Sequence, residues 1–162
     1  CRRRARHSRE GAYLCRVSYP RLRHKPLSLS RRVRRYQFGV YTGGTMRSIA
    51  KKVRGFGHLW GFDSFTGLPE ETEGQMLEGK HWRQGGFSAA DALGTYDEDA
   101  LLQAITRQIN RPNTTLIRGY FNESLSAALA ARHRFRPALL VDVDVDLHSS
   151  SVHVLSWLLG HG

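Results

Sequence analysis

Trp60–Glu70 (WGFDSFTGLPE) is the stretch from which the rest of the chain is read. Its apolar start joins His58 and Leu59 into a short strand, His58–Phe62, that closes on the acid Asp63. Ser64, Gly67 and Pro69 then supply turn chemistry in place of further periodicity. Toward the N-terminus, Tyr36–Tyr41 (YQFGVY) is a second apolar strand, ended by Thr42-Gly43-Gly44-Thr45. Between the two strands Met46, Ile49, Ala50 and Val53 recur at spacings of three and four, which predicts a helix over Thr45–Val53. Gly55 and Gly57 punctuate its end.

On the C-terminal side, residues 64–94 are rich in Gly, Glu and Ser and read as a long loop or lid, a length that in a compact domain is usually functional or mobile. Thr95 and Glu98 have the spacing of a capping box, with Asp97 and Asp99 suited to a helix start. Leu101, Leu102, Ile105 and Ile109 continue that helix until Pro112 ends it. Thr114–Arg118 is a third strand, followed by Gly119-Tyr120-Phe121; Asn122 can then cap a helix carrying Leu125, Ala128 and Leu129. Pro137 opens a fourth strand, Ala138–Val145, and Ser149–Leu159 is a final helix. Strands alternating with helices in this way predict an α/β chain with a Rossmann-like parallel sheet and helices on its faces.

The formal charge of +11 misleads when taken over the whole chain. Residues 1–35 hold 13 Lys/Arg against the single acid Glu10, a formal +12, whereas residues 36–162 hold 12 Lys/Arg against 13 acids, a formal −1. The basic segment has few large apolar residues with which to offset ordering entropy, and it reads as a disordered extension. An Arg-rich arm on nucleic acid is the competing reading, but no aromatic stacking set accompanies it. Cys1 and Cys15 make no metal spacing and no disulfide framework. No apolar run is long enough to span a membrane, and the basic start lacks the apolar stretch of a secretory signal, so a cytoplasmic protein is the default expectation.

Ligands of open parallel sheets sit beyond the carboxyl ends of the strands. Gly39, Gly43 and Gly44 there allow a sharp turn and close backbone approach, in a G-x-x-x-G-G spacing that differs from the dinucleotide fingerprint G-x-G-x-x-G. A plain strand-to-helix turn has the same form. Asp63, ending the neighbouring strand, can accept from both hydroxyls of an adenosine ribose, or can cap its own loop. Asp142, Asp144 and Asp146 alternate with Val141, Val143 and Val145, so the acids share one side of an extended chain. At an open strand end they could hold a divalent cation, and one could act as general base. The preferred alternative has Asp142 bonded to adjacent backbone, with Asp144 and Asp146 alone facing the cleft. His148 stands close enough to touch a substrate, or simply begins a helix.

Four segments together resemble the macrocin O-methyltransferase family of class I S-adenosylmethionine-dependent methyltransferases. They are Phe38–Thr45, Trp60–Glu70, Arg118–Phe121 and Asp144–Ser151, in the family's order and spacing. The resemblance covers about residues 36–159. It implies that Gly39, Tyr41, Thr42 and Gly43 line the methionine end of the cofactor, with Gln37 where the family commonly carries an acid. Asp63 would take the ribose, Ser64 and Phe65 would lie near the adenosine, and Gly119 and Phe121 beside the adenine. It also implies Mg²⁺ holding a substrate diol, with Asp144 as a metal ligand and Asp146 as the base. His148, where the family usually has Tyr, joins Asp146 as a catalytic candidate. The family's further metal ligands, an Asp-Asp pair on the next strand, would fall beyond Gly162. Residues 36–162 are therefore expected to be a partial methyltransferase domain without its C-terminal strands.

The function so implied is methylation of a hydroxyl on a small molecule such as a natural-product sugar. Two rivals stand beside it: an NAD-type dinucleotide-binding oxidoreductase, against which the glycine spacing speaks, and a noncatalytic binding protein using the Arg-rich arm. A small hydroxylated substrate is the expected partner, with neither membrane nor nucleic acid. Association into a homo-oligomer stays open.

Overall fold

The first strand, β1, runs Arg34–Phe38 and pairs on one side with β2 (His58–Asp63) and on the other with β4 (Ala138–Val143). The computed structural model describes residues 34–52, 57–71 and 82–161. Residues 1–33 with both cysteines, Val53 and Gly55 at the end of the expected first helix, and residues 72–81 of the expected lid lie outside them. β3 (Thr114–Arg118) pairs with the far side of β2, which gives the all-parallel order β3-β2-β1-β4. The α/β, Rossmann-like architecture read from the alternation is thus the observed one. β1 starts two residues before the expected Tyr36 and stops before Val40 and Tyr41.

Alternation along β1 assigns its side chains to two layers. Tyr36 and Phe38 face α4 (Phe121–Ser124), α5 (Ala127–His133) and α6 (His148–His161), and form a core with Phe62, Val154 and Trp157. Phe38 stacks on Phe62 at 4.6 Å, and Trp157 meets both rings edge-on or tilted. On the opposite face α1 (Gly44–Lys52), α2 (Ala89–Leu93) and α3 (Glu98–Ile109) bury Met46, Leu59, Phe65, Leu101, Ile105 and Ile109. Each such side chain contributes about 1.5–3 kcal/mol when fully buried, more than a helix cap at about 1 kcal/mol. Packing therefore decides the layers, and caps only trim the ends.

The same alternation turns Arg35 and Gln37 toward the α1 and α3 face. Arg35 is 2% exposed; its Nη2 donates to Asp142 Oδ2 at 2.7 Å and to Gln37 Oε1 at 3.1 Å, while Nε and Nη1 find no partner among the described residues. Burial pulls the guanidinium pKa below its ordinary value, and Asp142 opposes that fall. A run of arginines gave no hint that one of them enters the sheet.

Several boundaries differ from expectation for local reasons. The cap of α3 is Asp97, whose side chain accepts from Ala100 N, while Thr95 Oγ1 instead donates to Leu93 O. Asn122 caps nothing: it lies inside α4, and Ser126 caps the separate helix α5. The expected long loop contains α2, capped by Ser88 and closed by Gly94. β4 ends at Val143 rather than Val145, and Asp144–Asp146 turn out beyond the sheet.

Candidate functional site

The sheet order reverses between β1 and β4: the chain steps from β1 to β2 to β3 on one side and then returns to lay β4 on the other. At such a switch point the loops leave the two strands in opposite directions and open a crevice at their carboxyl ends. A cavity of about 260 Å³ lies there, lined by residues from all four strand ends. Gly39, Val40, Tyr41 and Thr42 come from β1, Asp63 and Ser64 from β2, Gly119, Tyr120 and Phe121 from β3, and Asp144, Val145 and Asp146 from β4. Ser150 of α6 and the loop residues Gly67, Leu68, Pro69 and Phe87 close its walls.

Gly39 is what lets the two sides of the crevice meet. It sits at φ +83°, and a Cβ there would lie 1.9 Å from the carbonyl oxygen of Asp144. Its N–H donates to Phe62 O, and Asp144 N donates to Phe38 O, both at 2.9 Å. Only a residue without a side chain permits that approach. Gly67 does the same for the second wall, where a Cβ would stand 2.5 Å from Gly85 O. Leu68 N donates to Gly86 O and Gly85 N to Leu68 O, so the Asp63–Pro69 loop is latched to residues 83–87.

Asp63 stands beneath this frame. Its Oδ2 accepts from Val40 N at 2.7 Å and Tyr41 N at 2.8 Å, and its Oδ1 accepts from Phe65 N at 2.7 Å. The acid therefore holds the β1 turn, in which Tyr41 takes a left-handed φ of 52°, to its own loop. A carboxylate offers about four acceptor positions, so about one stays open, on Oδ1. Two ribose hydroxyls would have to share that position or displace a backbone bond.

Gln37, Gly43, Phe65 and His148, each named from the sequence as a contact, do not line the cavity. Gln37 is buried at 1% exposure and donates through Nε2 to Gly39 O, so it braces the turn from below. Gly43 packs against Ile105 and Ile109 of α3. The Phe65 ring is fully buried in the core, and only its N–H addresses Asp63. His148 opens α6 on the exposed surface. Asp142 is held by the Arg35 side chain, not by backbone, and faces away from the crevice into the α1 and α3 layer. Tyr120, Leu68, Pro69 and Phe87 went unnamed; the first three lie inside segments already quoted, and Phe87 lies in the stretch read as irregular.

The described lining holds three carboxylates, Asp63, Asp144 and Asp146, and no Lys, Arg or His. Such a crevice favours positively charged ligands. Among the described residues no three His, Cys, Asp or Glu side chains gather as a metal-ligand cluster. Asp144 and Asp146 are two exposed carboxylates without a third such donor, so the described residues do not complete a Mg²⁺ site. No helix among them is long and apolar enough to cross a membrane.

A crevice at the switch point of a Rossmann-like sheet is where open α/β folds commonly bind their ligands. The chain is similar to the solved structure of the O-methyltransferase NovP, with 19% identity and a TM-score of 0.50. The match covers 78% of this chain and 51% of that one, so the chain spans about half the length of the structure it resembles. The likeness establishes a methyltransferase-type fold. No family model matches the sequence, and no curated protein matches it.

Proposed function

We propose that this chain carries the cofactor-binding part of an S-adenosylmethionine-dependent O-methyltransferase acting on a hydroxyl of a small molecule. The observation that carries the proposal is the crevice itself, which is acidic, flanked by aromatic rings and built at the switch point of a methyltransferase-type fold. The sulfonium and ammonium of this cofactor are cationic, and its adenine is a flat aromatic surface. Gly39–Thr42 and Asp144 would accommodate the methionine end, Asp63 would offer its open Oδ1 position to the ribose, and Gly119–Phe121 would flank the adenine. Kinship with the macrocin O-methyltransferases is the finer form of the proposal, supported by Trp60–Glu70 and Asp144–Ser151.

Bound S-adenosylmethionine supplies a methyl group already activated by its positive sulfur. The protein has two tasks left, aligning the acceptor hydroxyl and receiving its proton. Asp146, exposed at the β4 end of the cavity, is the acceptor for that proton. Ser150 and the backbone of Gly39–Tyr41 restrict how a ligand enters beside it.

Isothermal calorimetry tests the proposal directly. S-adenosylmethionine should bind with measurable heat, and NAD at the same concentration should neither bind nor compete. Heat from NAD with none from S-adenosylmethionine would transfer the site to the dinucleotide-binding alternative.

A further inference from the structure

The β4 end of the crevice has an aromatic border, of which the cofactor assignment uses only Tyr41. The Trp82 indole Nε1 donates to Asp146 Oδ1 at 3.3 Å. The Trp82 ring meets Phe87 edge-on at 5.9 Å, and Phe87 meets Tyr41 at 6.3 Å and 90°. Three rings thus form a continuous row from the turn after β1 to the carboxylate after β4. Tyr41 keeps 41% exposure, so part of its ring remains open to a ligand, and Phe87 beside it is 38% exposed. Both residues also hold left-handed backbones, at φ 52° and 55°, a conformation that a residue with a Cβ rarely adopts. The row does not hang loosely, because the latch between Leu68 and Gly85–Gly86 carries the segment on which Trp82 and Phe87 stand.

We propose that this row is the acceptor subsite, that it takes a hydroxylated ring without negative charge, and that Trp82 is the positioning residue for Asp146. The proposal rests on the methyltransferase reading. Aromatic rings attract another ring in edge or offset geometry, and the neighbouring carboxylates repel anions. With Oδ1 engaged by the indole, Asp146 presents Oδ2 to the acceptor hydroxyl. The hydroxyl oxygen forms its new bond to the methyl carbon, the sulfur keeps the electron pair of the bond that breaks, and the proton passes to Oδ2. Sulfonium becomes neutral thioether as the carboxylate becomes carboxylic acid, so charge balances.

The test combines calorimetry for S-adenosylmethionine with transfer of a radiolabelled methyl group to two probes. Catechol is the uncharged ring, and 3,4-dihydroxybenzoate is the same diol with an added carboxylate. Catechol should be methylated with a KM lower by about tenfold or more, the scale of a like-charge penalty in a partly desolvated site. Trp82→Phe keeps the ring and loses the N–H. It should lower kcat about tenfold while leaving the KM for catechol and the affinity for S-adenosylmethionine within about twofold. Trp82→Ala should raise the KM as well. A merely structural role would not split kcat from KM in this way. Wild-type kcat in Trp82→Phe overturns the positioning role, and equal use of both probes, or of neither, overturns the acceptor class. Loss of S-adenosylmethionine binding by the wild-type chain would overturn the methyltransferase reading itself, and the subsite with it.

Discussion

Asp63→Ala will damage this protein before any ligand is added, which changes how its effect on binding must be interpreted. The substitution removes the acceptor for three backbone N–H groups, those of Val40, Tyr41 and Phe65. A hydrogen bond to a charged group contributes about 1.5–3 kcal/mol when shielded, and an exposed donor recovers most of this from water. The Tyr41 bond is exposed and the other two are partly buried, which leaves a combined loss of about 2–4 kcal/mol. That is a large share of the 5–15 kcal/mol typical of a folded domain. Urea titration followed by tryptophan emission should show the midpoint falling by the corresponding amount, with Asp63→Asn in between because an amide keeps one oxygen acceptor. A midpoint within about 0.5 kcal/mol of wild type, the scatter of neutral surface changes, would refute the bracing role. Because the freed turn also lines the cavity, weakened S-adenosylmethionine binding in Asp63→Ala would follow even without a ribose contact. The contact is read instead from the ligand side, by titrating the wild-type chain with a 2′-deoxy analogue of S-adenosylhomocysteine against the parent. A drop of about tenfold, one hydrogen bond to a carboxylate, is expected, and equal affinities would remove the ribose role while leaving the brace intact.

Gly39→Ala should lower stability by about 2–4 kcal/mol, from overpacking and a left-handed backbone together, because its Cβ would meet the Asp144 carbonyl at 1.9 Å. A thermal melt unchanged from wild type would contradict the close approach of β1 and β4. The His58 imidazole, packed beside Trp60 and bonded to Thr115 Oγ1, has its pKa lowered by burial and, less, by Arg34. Its unfolded state therefore binds a proton first on acidification. Its contribution is fully present above the unfolded value near 6.5 and is lost as pH falls toward the folded value. Stability measured from pH 8 to 5 should fall less steeply in His58→Gln than in wild type, and parallel curves would overturn the assignment.

Much of the frame was legible because parallel strands of this kind are local apolar runs bounded by turn residues. His58–Asp63 and Thr114–Arg118 lie where their composition put them. Arg35 and Asp142 were not legible as a pair, being 107 positions apart and each disguised by neighbours of its own kind, one in an arginine run and one in an Asp-Val alternation. Trp82 and Phe87 were missed for another reason. The segment that holds them has no period, and its place comes from backbone bonds to Leu68 rather than from its own pattern.

By itself the amino-acid sequence determined the α/β alternation, the glycine turn after the first strand and the acids at the strand ends, since each of these is a property of a few adjacent residues. Tertiary structure alone decided which acids share a space. Strand order laid β4 beside β1, and the end of β4 at Val143 let Asp144 and Asp146 turn into the crevice with Asp63, while Asp142, still within the strand, meets Arg35 on the face they share. Tertiary contacts also committed two of the carboxylate positions of Asp63 to Val40 N and Tyr41 N, 23 and 22 positions away, while the bond from Phe65 N is the local loop cap that the sequence allowed. Periodicity records which side of its own element a residue faces; what it meets there depends on distant segments, and on those the pattern is silent.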